Sequence, residues 1–506
     1  MTHKNNYLAL DFGAESARAI LGTFTDEHLT ISEEYRFLTG ADLVPTMYPE
    51  KIRPNLYSDL SFQWDFVRLW REAKNAIKKV AKEKTIPLSG IGIDTWGVDF
   101  GLLDRDGSLI GNPFNYRDSR TVGIMEEAFK LVPKEEIFEY TGIQFMQINT
   151  LYQLLSLVIS ESPALKIAAT FLTIPDLFNY FFTGKAISEF TIATTTQCYD
   201  PRKQDWSTEL LDKLRIPRQI FPEIVMPGTI IGPMRTSVAE ELGVNVPIIA
   251  VACHDTGSAA AAVPAEGHNF AWISSGTWSI VGTNSPEPVI NKLSFANNFT
   301  NEGGLEGTFR FSKNVMGLWI IQECRRQWHE DGSEYSYTEL TKMAKDAPAL
   351  VSFIDPDFEE FLRPGKMVDR VQEYCQHTGQ PIPREVGEIA RTVFEGLALK
   401  YRWVIERLEE MVGHKLDPIH IIGGGTKNTL LSQFTADACG KKVISGPVEA
   451  TAIGNLIMQS IAKGDISSWE EGRSVICNSF EILTFNPGDQ KPWNKAYQNL
   501  RGFMGK

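Results

Sequence analysis

Short apolar runs, each closed by small or polar residues, recur along the 506-residue chain. The first, "YLALDF", gives way to the turn "GAESA" and resumes as "RAILGTF". Apolar stretch, small-residue turn and apolar stretch predict two strands joined by a tight connection. In the second half "FAWIS", "SGT" and "WSIVGT" repeat the arrangement, where a duplicated two-lobe architecture would place it. "GIGIDTW" and "DFGLLDRDGSLI" read as further strands, with a hairpin predicted at Asp106–Gly107. "VPIIAVAC" and "PIHII" are bounded by turn residues and suit buried strands.

A different period sets in near Glu385. Val386, Ile389, Val393, Leu397, Tyr401, Val404 and Leu408 follow at steps of three and four, which predicts a helix over 385–411. It runs into "PIHIIGGGTKN", so helix, strand and glycine turn succeed one another as in a mixed α/β layer. A chain this long exceeds one core, which predicts two large domains. The Pro/Gly-rich "FPEIVMPGTIIGPM" precedes the strand at Val246, and the boundary is placed there, giving domains 1–246 and 247–506. A terminal helix is expected beyond "NPGDQKPW".

Composition narrows the class. Hydrophobic residues make up 43% and charged residues 22%, as in a soluble enzyme, and no segment is of low complexity. A net charge of −13 argues against non-specific binding to nucleic acid or an anionic membrane. Apolar runs such as "VNVPIIAVAC" are far shorter than the ~20 residues a bilayer span needs. "MTHKNNYLALDFG" has no basic stretch leading into an apolar one, so no secretory signal is expected. Six scattered cysteines form no C-x-x-C pair, which suits a reducing cytoplasm rather than a zinc site or a disulfide scaffold.

Candidate chemistry begins with "VACHDTGSAAAAV", which carries at Asp255 the Asp-Thr-Gly-Ser signature of pepsin-like proteases. Those enzymes need two such segments, because two carboxylates share one proton. The nearest echo, "DTWG" at Asp94, has tryptophan where the glycine belongs, and the protease reading fails. What remains is one carboxylate between a buried strand and an alanine-rich helical run, flanked by His254 and Thr256. It can cap that helix or serve as general base toward a substrate hydroxyl.

Two turns offer groups for phosphate. In "ALDFGAESAR", Asp11 ends a strand ahead of a small-residue turn whose N–H groups can face an anion, with Arg18 nearby. Asp11 suits a Mg²⁺ ion carrying phosphate oxygens. "ISSGTWS" offers hydroxyls and open backbone. Each alone is equally a plain hairpin; together they raise the hypothesis of two phosphate-facing hairpins. "IIGGGTKN" lets a flat base or ribose approach the backbone. It lacks the G-x-G-x-x-G spacing of a dinucleotide site and the G-K-[ST] ending of a Walker A loop. Trp96 can wall a small pocket, although tryptophan is more often core, and "YRDSRT" reads as a structural hydrogen-bond network. A carboxylate base, a metal site and phosphate turns are the parts phosphoryl transfer requires.

Taken together, "DFGAESAR", "IGIDTWGVDFGLLDRDG", "HDTGSA", "SSGTWS", "FTNEGG", "KNVMGLW", "IIGGGTKNTLLSQFTADACG" and "GPVEATAIGN" resemble the FGGY carbohydrate kinases, nearly end to end. The resemblance implies two actin-like (ribonuclease H-like) α/β domains flanking a catalytic cleft. Sugar would be bound mainly by the first and ATP mainly by the second, with the last helix able to pack back on the first. "DTWGVDF", "TNEGG" and "GPVEA" are most similar to members acting on L-rhamnulose. They imply ATP-dependent formation of L-rhamnulose 1-phosphate in L-rhamnose catabolism. Another ketose such as L-fuculose, or a catalytically silent sugar-binding sensor, are the alternatives.

By this resemblance Asp255 matches the catalytic base, and Gly97, His254, Thr256 and Asn314 match sugar contacts. Ala14, Glu15, Ser16, Ala17 and Arg18 match the first ATP-phosphate hairpin, and Thr277 the second. Gln322, Gly424 and Gly425 match nucleotide contacts, and Asp11 a position near Mg²⁺. The ligands implied are a small ketose, ATP and Mg²⁺, with no nucleic acid or membrane partner and with monomer or homodimer left open. The hairpin departs from the usual Gly-Ala-Ser-Ser-Gly-Arg of those relatives. Ala17 replaces a flexible glycine, and Glu15 puts a negative charge where phosphate is expected. Turned inward it would repel the nucleotide, so it is expected to face solvent or assist Mg²⁺.

Overall fold

The computed structural model describes residues 4–25, 27–45 and 60–504. The chain divides into two compact units. The first takes the chain up to Ala262 and adds Ser285–Phe311 and Thr451–Ser479; the second takes Val263–Asn284, Ser312–Ala450 and the chain from Phe480.

The first unit is built on a six-stranded sheet. From edge to edge its strands are Thr229–Gly232, Ile248–Ala250, Gly90–Thr95, Lys4–Phe12, Ser16–Thr25 and His28–Leu38. The middle three, Ile248–Ala250, Gly90–Thr95 and Lys4–Phe12, run parallel. Seven consecutive residues from Asn6 to Phe12 are buried, as expected of a strand covered on both faces. One covering helix is Phe66–Lys78, whose Phe66, Leu69, Ala73, Ala76 and Ile77 form one buried stripe. The Asp65 side chain caps it by accepting from the Arg68 N–H at 3.0 Å. The helix Ala450–Lys463 supplies Gln459, which donates to the Leu8 carbonyl at 3.1 Å. Its Gly454 lies against the Ser258 carbonyl, where a Cβ would collide with backbone.

The predicted hairpin at Asp106–Gly107 is present but short. Gly107 turns the chain at φ +79, and Leu109 bridges Leu103 antiparallel. The Asp104 and Ile110 N–H groups donate to the Ser108 and Leu102 carbonyls, each at 2.9 Å. On its other edge the strand Phe100–Leu103 pairs antiparallel with Thr170–Thr173. Phe171 is fully buried there beside Trp206 and Phe221. That partner lies some seventy residues away in the chain and brings an apolar face to the strand.

In the second unit the strands Phe309–Met316, Trp278–Ser285, Ala271–Ser275, Ile419–Ile422, Val443–Ser445 and Leu483–Phe485 lie side by side in that order. Ala271–Ser275, Ile419–Ile422 and Val443–Ser445 are parallel. The periodic stretch forms the helix Val386–Val412, with Ile389, Val393, Leu397, Tyr401, Val404 and Leu408 all buried. Gly413, at φ +78, closes it. The terminal helix Gln490–Phe503 belongs to this unit, burying Trp493, Ala496, Tyr497 and Leu500. Its Tyr497 hydroxyl donates to Glu406 on the long helix at 2.6 Å. The segment that returns to the first unit is Thr451–Ser479.

All six cysteines are free. No helix among the described residues is long and apolar enough to cross a membrane.

Candidate active site

The three parallel strands of the first sheet end side by side, and each leads into an aspartate. Asp11 and Asp94 are register partners. Next door, the Thr95 N–H donates to the Cys253 carbonyl at 2.9 Å and Thr95 bridges His254, which brings Asp255 to the same edge. Ligands of parallel α/β sheets bind outside such carboxyl ends.

The three carboxylates are held differently. Arg18 Nη2 lies 2.5 Å from Asp11 Oδ2. Asp94 is fully buried: Oδ2 accepts from Asn455 at 2.6 Å, and Oδ1 has no hydrogen-bond partner. Burial first, then the charge on Asp11, pushes the Asp94 carboxyl well above its ordinary range. Asp255 keeps a third of its side chain exposed at the start of the helix Asp255–Ala261, and its Oδ1 accepts from the Thr256 N–H at 2.5 Å. It is the most exposed carboxylate of the three.

Behind Asp255 lies a packed polar layer. His254 Nε2 is 3.4 Å from Asp255 Oδ1, and its Nδ1 is 3.0 Å from Arg310 Nη2. Arg310 Nη2 also pairs with Glu302 Oε2 at 3.1 Å. Burial alone would raise the Glu302 carboxyl, but the Arg310 guanidinium beside it favours the charged form and the carboxyl lies below its ordinary range. The His254 backbone N–H donates to Thr191 Oγ1 at 3.2 Å, and the Cys253 N–H to Glu189 Oε2 at 3.0 Å. Glu189 also caps the helix Phe190–Thr195, yet burial pushes its carboxyl up to about 8. Gly97 faces this cluster, and a Cβ there would stand 3.3 Å from His254 Nε2.

The first hairpin turns between Phe12 and Ser16, with the Gly13 N–H donating to the Ser16 carbonyl at 3.1 Å. Glu15 is exposed at its tip, beside half-buried Ala14 and Ser16. Ala17 sits inside the strand Ser16–Thr25 with ordinary φ, so this position makes no demand for glycine.

The second unit gathers the other predicted residues at its own strand ends. The Thr277 hydroxyl donates to Gln322 Oε1 at 3.3 Å, and the Thr277 carbonyl accepts from the N–H groups of Gly317 and Trp319, each at 3.1 Å. The glycine turn follows the adjacent strand Ile419–Ile422, with Gly423 at φ +87. Gly425 is packed tightly on Ser275, whereas a Cβ on Gly424 would meet nothing. Gly424 therefore borders open space and Gly425 serves packing. Asn314 lies half-buried on the strand Phe309–Met316.

Comparison with known proteins decides the family. A model of the FGGY carbohydrate kinase N-terminal domain matches residues 6–262, and one of the C-terminal domain matches 271–463. The chain belongs to the FGGY family of carbohydrate kinases. It is 41% identical over 501 residues to a rhamnulokinase of Bacteroides thetaiotaomicron, covering 98% of this chain and 99% of that one. A rhamnulokinase of Oceanobacillus iheyensis is 40% identical over 480 residues, 94% of this chain and 97% of that one. Among solved structures, a xylulose kinase from Lactobacillus acidophilus superposes with TM-score 0.78 at 17% identity, over 99% of this chain and 97% of its own. Plasmodium falciparum glycerol kinase with ADP does so with TM-score 0.78 at 15% identity, over 98% and 97%. The fold is the two-domain mixed α/β fold of FGGY kinases.

Several members of this cluster do not stand out in the sequence. Asp94 entered there only as a failed echo of a protease motif, and Glu302, Arg310 and Glu189 were not singled out. The one local signal is a charged residue inside an otherwise apolar strand, as in "FRFSKNVM". Trp96 is core: it stacks on Trp64 at 4.0 Å between ring centroids and donates to Asp99 at 3.0 Å. "YRDSRT" is structural as expected, with Asp118 accepting from the Phe62 and Arg120 N–H groups and Arg120 donating to Gln153.

Proposed function

We propose that this FGGY kinase transfers the terminal phosphoryl group of ATP to the C1 hydroxyl of L-rhamnulose, with Asp255 as general base. The observation that carries the role of Asp255 is its contrast with its neighbours. Asp11 is engaged by Arg18 and Asp94 is sealed in the core, while Asp255 is open and fixed at Oδ1 by the N–H and hydroxyl of Thr256. Asp255 takes the proton of the C1 hydroxyl as O1 bonds to the terminal phosphorus, and ADP leaves with the electrons of the broken P–O bond. Rhamnulokinases that align over nearly the whole chain support the sugar.

His254, Thr256, Gly97 and Asn314 are the proposed sugar contacts. The turn Ala14–Arg18, Thr277, Gln322 and the open backbone at Gly424 are the proposed nucleotide contacts. Glu15, exposed at its turn, leaves the sensor reading without its support. Mg²⁺ fits the hard oxygen donors at Asp11, beside the unpartnered Asp94 Oδ1. Among the described residues no group of three or more ligating side chains exists, so phosphate and water would complete the shell. Bound there, the ion would neutralise phosphate charge.

The test is ADP release from Mg²⁺-ATP with L-rhamnulose, L-fuculose, D-xylulose, L-ribulose and glycerol. A kcat/KM for L-rhamnulose at least about tenfold above the rest is expected, given that one methyl or hydroxyl is worth about 1–3 kcal/mol. Preference for another acceptor overturns the sugar assignment.

A further inference from the structure

Arg310 and Glu302 are charged side chains only 1% and 6% exposed, and in the reading above neither touches the reacting atoms. They meet at the far edge of the His254 ring. Arg310 Nη2 lies 3.0 Å from Nδ1, and Glu302 Oε2 lies 3.4 Å from the same nitrogen, beyond the better-placed guanidinium. Arg310 Nε donates to the Gly303 carbonyl at 2.8 Å, which fixes the plane of the guanidinium. The Gly303 N–H donates in turn to Thr194 Oγ1 at 2.7 Å, so the support is itself anchored.

A guanidinium carries donors and no acceptor. A ring nitrogen that meets it accepts, and therefore carries no proton. The proton of the neutral imidazole is then on Nε2, at the opposite edge. That edge lies 3.4 Å from Asp255 Oδ1 and faces the bare backbone of Gly97. Glu302 balances the buried positive charge of the guanidinium.

We infer that Arg310, backed by Glu302, is a positioning residue that locks His254 as the Nε2–H tautomer and aims a permanent donor at Asp255 and the sugar. Three donors, the Thr256 N–H, the Thr256 hydroxyl and His254 Nε2–H, then surround Asp255 Oδ1. Oδ2 is left to take the hydroxyl proton. This rests on Asp255 being the base, and the experiment separates the two claims.

The direct measurement is the long-range ¹H–¹⁵N spectrum of the ring in protein labelled with ¹⁵N-histidine, with His254 assigned by its loss in His254→Asn. The native protein is expected to show neutral Nε2–H; an Nδ1–H tautomer or an imidazolium at neutral pH overturns the inference without recourse to any variant. Arg310→Met is expected to lose that signature and to lower kcat at least about tenfold, as misplacement of a positioned group does, while KM for ATP stays within about twofold. Arg310→Lys is expected to recover part of both. Glu302→Gln, which keeps the bond from Arg310, should retain the tautomer. Native kcat in Arg310→Met also overturns the inference. If the native protein phosphorylates no ketose, the kinase reading fails, and the tautomer result still stands.

Discussion

The two units furnish their strand ends with opposite chemistry. At the strand ends of the first, charges are packed together: Asp11 with Arg18, Asp94 with Asn455, Glu302 with Arg310, and Asp255 beside His254. At the strand ends of the second, the corresponding turns offer a hydroxyl, backbone groups and a glycine bordering open space. In the proposed function a proton moves at the first, and proton positions are set by burial and neighbouring charge. The proposed role of the second is to seat a flat, charged nucleotide, for which room and N–H groups suffice. On that proposal, changes in the first should appear in turnover or sugar binding, and changes in the second in nucleotide affinity.

Asp255→Asn breaks the comparison hardest. It should lower kcat by about 10²–10⁴-fold while isothermal titration shows sugar binding near native; normal turnover would remove Asp255 from its role. Gly97→Ala comes next. Its Cβ would stand 3.3 Å from His254 Nε2 and 3.5 Å from Thr195 Oγ1, so the ring must yield. KM for the sugar is expected to rise about tenfold, since small displacements of positioned groups are costly, with KM for ATP unchanged.

Glu189 sharpens the contrast through pH. Its carboxyl is raised from 4.5 to about 8 in the folded protein. Its contribution is fully present below about pH 4.5 and is lost as pH rises through about 8. Between pH 5 and 9, thermal melts of the native protein should fall more steeply than those of Glu189→Gln. The difference should be on the order of 1–3 kcal/mol. Equal slopes would contradict the buried-acid account. Thr277→Val is the mildest change, removing one hydroxyl that donates to Gln322. KM for ATP should rise a few-fold, about 1 kcal/mol, with sugar KM untouched.

What could be read from sequence was local. "YLALDF" and "FAWIS" are strands because their apolar residues are continuous, and 385–411 is a helix because its stripe repeats at three and four. Asp255 was placed correctly at a strand-to-helix junction for the same reason. The polar layer behind it was not legible. His254 meets Arg310 across 56 residues, and Asp94 meets Asn455 across 361. Such pairs exist only once the strands are in register, and no window of sequence holds both partners. The hairpin near Asp106 was legible because Gly107 fixes a local turn, whereas the pairing of Phe100–Leu103 with Thr170–Thr173 on its other edge was not.

The account stands most directly on where the phosphate goes. Incubation with Mg²⁺-ATP and L-rhamnulose labelled with ¹³C at C1, read by ¹³C NMR, should give a C1 signal split by phosphorus. A phosphorylated sugar with an unsplit C1, or no phosphorylated sugar at all, would contradict it.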